Sequence, residues 1–316
     1  MLADIQRTQT VALHKGWNAV FLSVDPTNSK TAECFQGTPI SMVASYVGDQ
    51  TAVQFVQNPS TNTLTPANGW NVWYAPERPD SFLSQLAALS ANRAYLVYAE
   101  SDYAWSVTGS AVLGMVKWRP DSFTLAGFTL DDLSPPTYAQ FFSGSAAHQP
   151  YRIYRLINDQ WVRVANAATT QMRSGEAAWI YCNGGSDYQG PLEVKPQLGR
   201  QIYLSGSTPF GVLLANRTAN PLNVTIAHPV SPLLPLAYLL QVVSVTNGVE
   251  TNLVETTFDL PAAYTPPVFE AAERRGFWLI LRPEAMTTDS ETSLLKITSD
   301  LGTQCWLPVS GKRSAL

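Results

Sequence analysis

Residues 94–103 read AYLVYAESDY, and residues 178–188 repeat that pattern as AWIYCNGGSDY. Each copy is an apolar run of the kind found in β-strands, followed by the same Ser-Asp-Tyr triplet. One extra residue separates strand from triplet in the second copy. Repetition of a strand-rich unit indicates duplicated structural modules rather than a catalytic centre.

Further matching segments lie upstream of both copies, in the same order. A Trp-led alternating strand ending on Asp comes first, and then a short helix candidate, a middle strand and a strand containing Trp. These segments are 16–26, 31–35, 43–47 and 70–74 in the first copy and 118–131, 135–142, 151–156 and 160–164 in the second. In the second helix candidate, proline is well placed in the first turn. Five matched segments predict two homologous β-rich modules, at 10–112 and 113–195, preceded by an N-terminal extension at 1–9.

The remaining residues, 196–316, have a different pattern. Short apolar strands alternate with turns rich in Asn, Gly, Pro and Thr, at 213–218, 221–226, 277–282, 293–299 and 304–309. This pattern is typical of a β-sandwich of the immunoglobulin-like kind. The predicted fold class is therefore mainly β, with two duplicated β-rich modules that carry short helices and a C-terminal immunoglobulin-like β-sandwich.

Composition narrows the function classes. Hydrophobic residues make up 45% of the chain and charged residues only 14%, below the roughly 25% that is usual for soluble domains. The net charge of −4 and the absence of a basic cluster exclude nucleic acid as the expected partner. The sequence has no apolar run of about 18 residues, so no transmembrane helix is expected.

The N-terminus lacks a charged segment followed by an apolar one, so it does not read as a signal peptide. Two locations fit: a mature chain that is secreted or at the cell surface, or a cytoplasmic protein. The polar, Trp-rich and charge-poor composition favours the first.

Metal and nucleophile motifs are absent from the sequence. The three histidines lie in unrelated segments without metal-ligand spacing, and the three cysteines form no CxxC pair. These residues are His14, His148, His228, Cys34, Cys182 and Cys305. No metal or cofactor is expected, and the cysteines are predicted to be small buried hydrophobic residues. An odd cysteine count leaves at least one free thiol.

Paired carboxylates are the remaining catalytic candidates, because a glycosidase needs two of them. Asp102 and Asp187 occupy equivalent places in the repeats, and Asp131, Asp132 and Glu176 lie in the second copy. Duplication predicts two separated copies of one structural position, whereas an acid/base pair needs two environments within one cleft. The chain is therefore expected not to be an enzyme, and a hydrolase with an unrecognised site is the second alternative.

Aromatic residues support the first alternative, carbohydrate binding. The chain has nine Trp and thirteen Tyr, whose ring faces can stack on sugars. The candidates in the two modules are Trp70, Trp73, Tyr74, Trp105, Trp161, Trp179 and Tyr188. Their alternating placement means that about half of them face a core, and the partner would be a polysaccharide.

Three stretches carry a family resemblance: LHKGWNAVFL at 13–22, NVWYAP at 71–76, and residues 293–308. They resemble uncharacterised exported bacterial proteins with "GWN" β-rich repeats and a C-terminal immunoglobulin-like sandwich. No established activity is associated with that group. The resemblance implies architecture and a surface location, and it supplies no site residues.

The expected function is therefore structural or adhesive, in the extracellular space or at the bacterial cell surface. Repeated charge-poor modules suit a subunit of a larger assembly or filament, whose partners are other copies of the chain or other surface proteins. Residues 3–12 are polar and Thr-rich, and an unpaired terminal strand can extend the sheet of a neighbour. We expect this segment to dock on another subunit.

Overall fold

The computed structural model describes residues 5–48, 56–62, 64–229, 234–246 and 249–313. Contacts divide the chain into two compact units. The first unit is formed by Gln6–Pro191 with Leu301–Thr303, and the second by the ranges 192–300 and 304–313. Both units are built mainly from β-strands, as the sequence predicts.

The first unit has eleven strands and two short α-helices within its described residues. In chain order they are β1 (Gln6–Leu13), β2 (Gly16–Leu22), β3 (Val24–Pro26), α1 (Thr31–Cys34), β4 (Ile40–Tyr46), β5 (Trp70–Tyr74), β6 (Arg93–Ala99), β7 (Tyr103–Ala111), β8 (Ser122–Gly127), α2 (Tyr138–Phe141), β9 (Ile153–Ile157), β10 (Gln160–Arg163) and β11 (Ala177–Cys182).

Two four-stranded antiparallel sheets of the first unit share one topology. Their strand orders are β2-β6-β4-β5 and β8-β11-β9-β10. If the four strands of each sheet are numbered by their order in the chain, their order across the sheet is first, fourth, second, third. A short helix, α1 or α2, follows the first strand. The order of segments matched in the sequence is therefore reproduced as one strand order, while the module boundaries at 112/113 and 195/196 stay predictions.

Helix α2 begins later than the sequence suggests. Its N-cap is Thr137, whose hydroxyl accepts a hydrogen bond from the Gln140 amide, and the Gln140 side chain accepts one from the Thr137 amide. This reciprocal capping box satisfies two backbone donors that the first turn leaves unpaired. Pro135 and Pro136 therefore precede the helix instead of starting it.

A third sheet of the first unit has the order β1-β7-β3. Strand β1 pairs antiparallel with β7 from Gln6 opposite Ser110 to Leu13 opposite Tyr103. The expectation that this terminal strand is unpaired is therefore wrong for residues 6–12, whereas docking of residues 3–12 on another subunit and the extension at 1–9 stay predictions. The physical reason is that β7, which continues from the Ser-Asp-Tyr turn, offers its own edge to β1 within the chain.

The two four-stranded sheets of the first unit share an interior. Along β2, Val20 and Leu22 face one core, whereas Ala19 and Phe21 face another that also contains β11 residues. We call this second core the inter-sheet core. Its fully buried aromatic members are Trp70, Phe123 and Trp179. Each four-stranded sheet is thus covered by apolar packing on both faces.

The GWN segment, residues 16–18, begins strand β2 directly after the two-residue turn that connects β1 to β2. Gly16 has φ of 101°, a left-handed conformation that glycine adopts without strain. Asn18 is buried, and its amide accepts from the His14 amide at 3.0 Å and donates to the His14 carbonyl at 2.8 Å. The Trp17 ring contacts Tyr98 edge-on at 5.2 Å. The Asn18 side chain of the motif therefore stabilises the turn that precedes β2.

The second unit is a β-sandwich. In chain order its described strands are β12 (Leu192–Pro196), β13 (Ile202–Ser205), β14 (Phe210–Asn216), β15 (Val224–Ala227), β16 (Leu236–Thr246), β17 (Val249–Asp259), β18 (Ala263–Tyr264), β19 (Arg274–Leu281), β20 (Ser290–Ser299) and β21 (Gln304–Lys312). They form two five-stranded sheets, β12-β14-β19-β16-β17 and β13-β21-β20-β15-β18. All pairings are antiparallel except β13 with β21. Leu214 and Leu279 of one sheet and Ile226 and Leu295 of the other are buried, as expected for facing sheets of a sandwich.

Candidate functional site

Five of the seven aromatic residues predicted to bind carbohydrate are buried. Trp70, Trp73, Trp105, Trp179 and Tyr188 are at most 6% exposed. A ring enclosed by protein on both faces cannot stack on a sugar. The carbohydrate prediction is therefore wrong for these five residues.

Packing explains the burial of each ring. Trp73 and Trp105 lie on either side of the Phe35 ring, at centroid distances of 5.5 and 4.9 Å. Trp70 and Trp179 meet edge-to-face in the inter-sheet core at 6.3 Å. These arrangements are the favoured ones for aromatic pairs.

Tyr188 closes the core of the second module. Its hydroxyl donates to the Phe141 carbonyl, and its own carbonyl accepts from the Trp118 indole N–H. The sequence-based interpretation of Ser-Asp-Tyr as a turn whose Tyr packs on the module agrees with this contact.

Tyr74 and Trp161 are half-buried, so each has part of a ring exposed. The Arg78 guanidinium lies over the Tyr74 ring at 5.6 Å, and the Trp161 ring packs on Trp179 at 6.1 Å. These two residues remain candidates for surface contacts, but they belong to different modules and form no ring contact with each other among the described residues.

The candidate carboxylates have structural partners. Asp102 follows β6 and accepts a hydrogen bond from the Lys15 amide at 2.8 Å, while Asp131 accepts one from the Leu133 amide at 3.1 Å. Asp187 follows β11, at the place in the second module that corresponds to Asp102. Asp102 and Asp187 thus follow strands of two different sheets, at equivalent places in the two strand orders.

One cleft of the first unit has a volume of about 600 Å³. It is lined by residues 10–14 of β1 and the following turn, by residues 18–20 of β2, and by the ranges 155–158 and 173–176. The Arg155 guanidinium donates to both carboxylate oxygens of Glu176, at 2.8 and 2.7 Å. A bidentate pair of this kind fixes both side chains, so Glu176 serves as a structural partner of Arg155.

The charge of Arg155 is maintained despite its partial burial. Burial disfavours the guanidinium charge, but hydrogen bonds to Glu176 and its negative charge outweigh that effect and raise the pKa of Arg155. The two side chains are only 12% and 18% exposed. The pair therefore neutralises itself within the cleft and holds the β9 strand against the 173–176 segment.

The three histidines lie apart in the fold. His14 is exposed in the turn between β1 and β2, His148 packs on the Trp118 ring at 4.3 Å, and His228 in the second unit is hydrogen-bonded to Ser293. Burial lowers the pKa of His148 to about 4 and lowers that of His228. Both buried imidazoles are therefore neutral at pH 7.

The thiols of Cys34, Cys182 and Cys305 are all free. Burial raises the pKa of each, and that of Cys305 reaches about 12 although the residue as a whole is partly exposed. Thiols with raised pKa carry little of the nucleophilic thiolate at pH 7. Within the described ranges, no cluster of three or more His, Cys, Asp or Glu side chains could hold a metal ion.

The β16–β17 hairpin lies at one edge of its five-stranded sheet. Strand β17 pairs with β16 over its whole length and with no other described strand. Strand β19 pairs with β16 only from Leu236 to Leu239. From residue 240 to 246 and from 249 to 256, the hairpin is thus a two-stranded ribbon that extends past the rest of its sheet.

Exposed apolar side chains flank the base of this ribbon. Leu240 is 40% exposed and Phe258 is 44% exposed. Phe258 also stacks on Tyr238 at 5.7 Å. The base of the ribbon therefore combines the edge strand of a sheet with exposed apolar area, a combination that favours contacts between chains.

Sequence comparisons find no matching family model and no matching curated protein. Three solved structures show limited similarity. The ASH / PapD-like domain of human CEP192 (PapD-like domain 7) matches with 10% identity and a TM-score of 0.24, over 40% of this chain and 85% of that domain. The Vibrio cholerae VesB protease matches with 9% identity and a TM-score of 0.23, over 96% of this chain and 99% of the protease. Escherichia coli alpha-2-macroglobulin matches with 11% identity and a TM-score of 0.22, over 98% of this chain and 33% of the other.

The helices of the protein are short. None of the helices among the described residues has the length and apolar character that crossing a bilayer requires.

Proposed function

We propose that this protein is a non-enzymatic structural or adhesive subunit that self-associates through the β16–β17 hairpin. The observation that carries the proposal is the position of β17, an 11-residue strand, at the edge of its sheet. An edge strand presents alternating N–H and C=O groups that a second strand can pair with. The occupant we propose is the same edge of a second copy, because a strand can pair antiparallel with itself about a two-fold axis.

The energetics favour a partner for this segment. A two-stranded ribbon without further strands is marginally stable in water, so the part of the hairpin beyond β19 gains from a third and a fourth strand. Each intermolecular main-chain hydrogen bond contributes about 0.5–1.5 kcal/mol net. Several such bonds, with burial of Leu240 and Phe258, supply enough free energy to offset part of the cost of association.

A secreted or cell-surface location stays a prediction and is compatible with this role. The carbohydrate-binding alternative loses the five buried aromatic residues, and Tyr74 and Trp161 alone do not form a shared platform. The hydrolase alternative loses Glu176, which is engaged by Arg155. Self-association through a sheet edge is therefore the function that the geometry supports best.

The test is to shorten the hairpin. Gln241 and Glu255 are cross-strand partners, so replacing residues 242–254 by Asn-Gly joins them through the two-residue turn that hairpins prefer. We expect the unaltered protein to sediment as a concentration-dependent oligomer and the shortened variant to sediment as a monomer. A monomeric unaltered protein, or a shortened variant that still associates, contradicts the proposal.

A pair of point variants separates this edge from general surface hydrophobicity. Phe258→Lys places a charge beside the edge, and Leu198→Lys makes the same change at a residue of the second unit that is 72% exposed and lies outside the hairpin. We expect only Phe258→Lys to weaken association. Equal weakening by both variants would point to nonspecific apolar contacts and would contradict the assignment of the interface.

A further inference from the structure

The turn that follows β11 contains an Asn-Gly pair that has no counterpart in the first module. The second copy of the repeat reads Asn183-Gly184-Gly185 before its Ser-Asp-Tyr triplet, where the first copy reads Ala99-Glu100. Glycine has no Cβ, so its backbone nitrogen is open to the side chain of the asparagine that precedes it. The longer connection of the second copy therefore holds a side chain and a backbone amide that can react with each other.

Asn183 and its neighbours leave room for such a reaction. Asn183 is exposed, and its side chain makes no hydrogen bond to any residue that the structure describes. Its backbone amide donates to the Ala147 carbonyl at 2.7 Å, which fixes the main chain at this point. A Cβ added to Gly184 or to Gly185 would meet nothing within 4 Å. A ring that joins Asn183 Cγ to the Gly184 nitrogen therefore meets no obstacle.

A carboxylate is hydrogen-bonded to the Gly184 amide. Asp121 directly precedes β8, and the pairing of Cys182 with Ser122 brings Asp121 beside the turn after β11. The Gly184 N–H donates to Asp121 Oδ1 at 2.8 Å. A general base must lie within about 2.6–3.2 Å of the atom whose proton it removes. Asp121 meets this requirement for the nitrogen that attacks Asn183.

We propose that Asn183 is a site of spontaneous deamidation, with Asp121 as the general base. As the Gly184 nitrogen forms a bond to Asn183 Cγ, its proton passes to the Asp121 carboxylate. The bond from Cγ to Nδ2 then breaks, and Nδ2 leaves as ammonia with that proton, so Asp121 returns to its ionised form. Water opens the resulting succinimide at either carbonyl and gives aspartate or isoaspartate at position 183. Water is the only co-reactant, and ammonia is the only other product.

Deamidation changes the connection between β11 and the Tyr188 contact of the second module. It adds a negative charge beside Asp121, and isoaspartate also adds one methylene to the main chain. Tyr188 follows shortly after this point, and its hydroxyl donates to the Phe141 carbonyl in the module core. We therefore expect the deamidated protein to unfold at a lower temperature. The reaction goes beyond self-association, because it occurs in the first unit and uses none of the hairpin residues.

Asn68-Gly69 offers an internal comparison, since it is the same dipeptide in a different environment. The Gly69 N–H donates to the Pro66 carbonyl at 3.0 Å, and Gly69 is buried. An amide carbonyl is a far weaker base than a carboxylate, and burial keeps hydroxide from the proton. We therefore expect Asn68 to be protected in the folded protein. The third pair, Asn247-Gly248, lies outside the described residues.

The test measures deamidation on the full chain, incubated at pH 8 either native or unfolded in urea. Tandem mass spectrometry of protease fragments gives the rate at each asparagine, and protein isoaspartyl methyltransferase labels isoaspartate. In the unfolded chain we expect Asn68 and Asn183 to react at similar rates. In the native protein we expect Asn183 to react about tenfold or more faster than Asn68. Ion-exchange fractions with and without the extra charge are then melted to compare Tm.

Two substitutions of Asp121 separate a base from a mere hydrogen-bond acceptor. Asp121 has φ of 51°, a conformation that asparagine and glycine both tolerate. Asp121→Asn keeps an acceptor for the Gly184 N–H but cannot take up its proton, and Asp121→Gly removes both functions. We expect each variant to lower the native Asn183 rate by about tenfold and to leave the rate in urea unchanged. Gly185→Ala, in the same turn, is the control and should leave both rates unchanged.

Two results would overturn the proposal. The first is a native Asn183 rate no faster than that of Asn68. The second is an Asp121→Asn variant that deamidates at the unaltered rate, because Asp121 would then only position the amide. An equal Tm for the intact and deamidated fractions would contradict the expected change in the second module. Thermal unfolding of each variant establishes that it is folded, and the shortened-hairpin variant should deamidate normally, so failure of self-association and failure of this proposal are distinguishable.

Discussion

Replacing Trp179 tests the inter-sheet core most directly. The ring is fully buried and contacts Tyr46, Trp70 and Trp161 at centroid distances of 5.3, 6.3 and 6.1 Å. Trp179→Ala removes all three contacts and leaves a cavity, which in protein cores costs about 3–5 kcal/mol. The two four-stranded sheets share this core, so the loss weakens the packing of one sheet on the other.

The size of the first unit converts that loss into a temperature. For units of 150–250 residues, about 1 kcal/mol lowers Tm by roughly 2–4 °C. The expected drop for Trp179→Ala is therefore roughly 6–20 °C, measured by circular dichroism on the full chain. A drop of less than about 2 °C would show that the ring is not packed between the sheets and would refute the reasoning.

Trp179→Phe is the matched control. The indole N–H of Trp179 is buried and has no partner among the described residues, so phenylalanine keeps an aromatic ring and removes an unsatisfied donor. An unsatisfied buried donor costs about 1–3 kcal/mol, which offsets part of the lost volume. We expect Trp179→Phe to lower Tm by less than a third of the Trp179→Ala effect. Equal effects of the two substitutions would contradict the orphaned N–H.

Three further predictions concern other parts of the chain. A Cβ added to Gly127 would clash with the Phe21 Cβ, whereas one added to Gly185 meets nothing within 4 Å. Gly127→Ala should therefore lower the free energy of unfolding, measured with urea, by about 1–3 kcal/mol, and Gly185→Ala should leave it almost unchanged. Burial lowers the pKa of His148 from 6.5 to about 4, so on acidification the unfolded state takes up the His148 proton before the folded state does. Protonation of His148 therefore has no effect on stability above about pH 6.5. Between pH 6.5 and 4 it lowers the free energy of unfolding by up to about 3 kcal/mol. Urea unfolding of His148→Gln should lack that part of the pH dependence, and an unchanged slope would contradict the assignment. At pH 8 the raised thiol pKa values, that of Cys305 above all, should make a colorimetric thiol reagent react far more slowly with native than with unfolded protein, and equal rates would exclude burial of the thiols.

The sequence predicted the strands well because local pattern determines them. The Trp strand predicted at 70–74 is β5 with the same bounds, and the repeated apolar runs are β6 and β11. The matched segments occur in the same order in both modules, and both modules have the same strand order in the structure. The N-terminal segment was misjudged because its partner strand is distant in the sequence. Gln6 lies opposite Ser110 of β7, 104 residues later in the chain, and pairing between distant segments leaves no local trace.

The burial of the aromatic candidates had a signal that the alternation argument passed over. Strand β11 is buried at Ala177, Ala178, Trp179 and Ile180 in succession. A continuous apolar run is typical of a strand covered on both faces, whereas a strand with one solvated face alternates. The apolar runs at 94–97 and 177–180 therefore indicated two-sided burial, and with it the enclosure of Trp179.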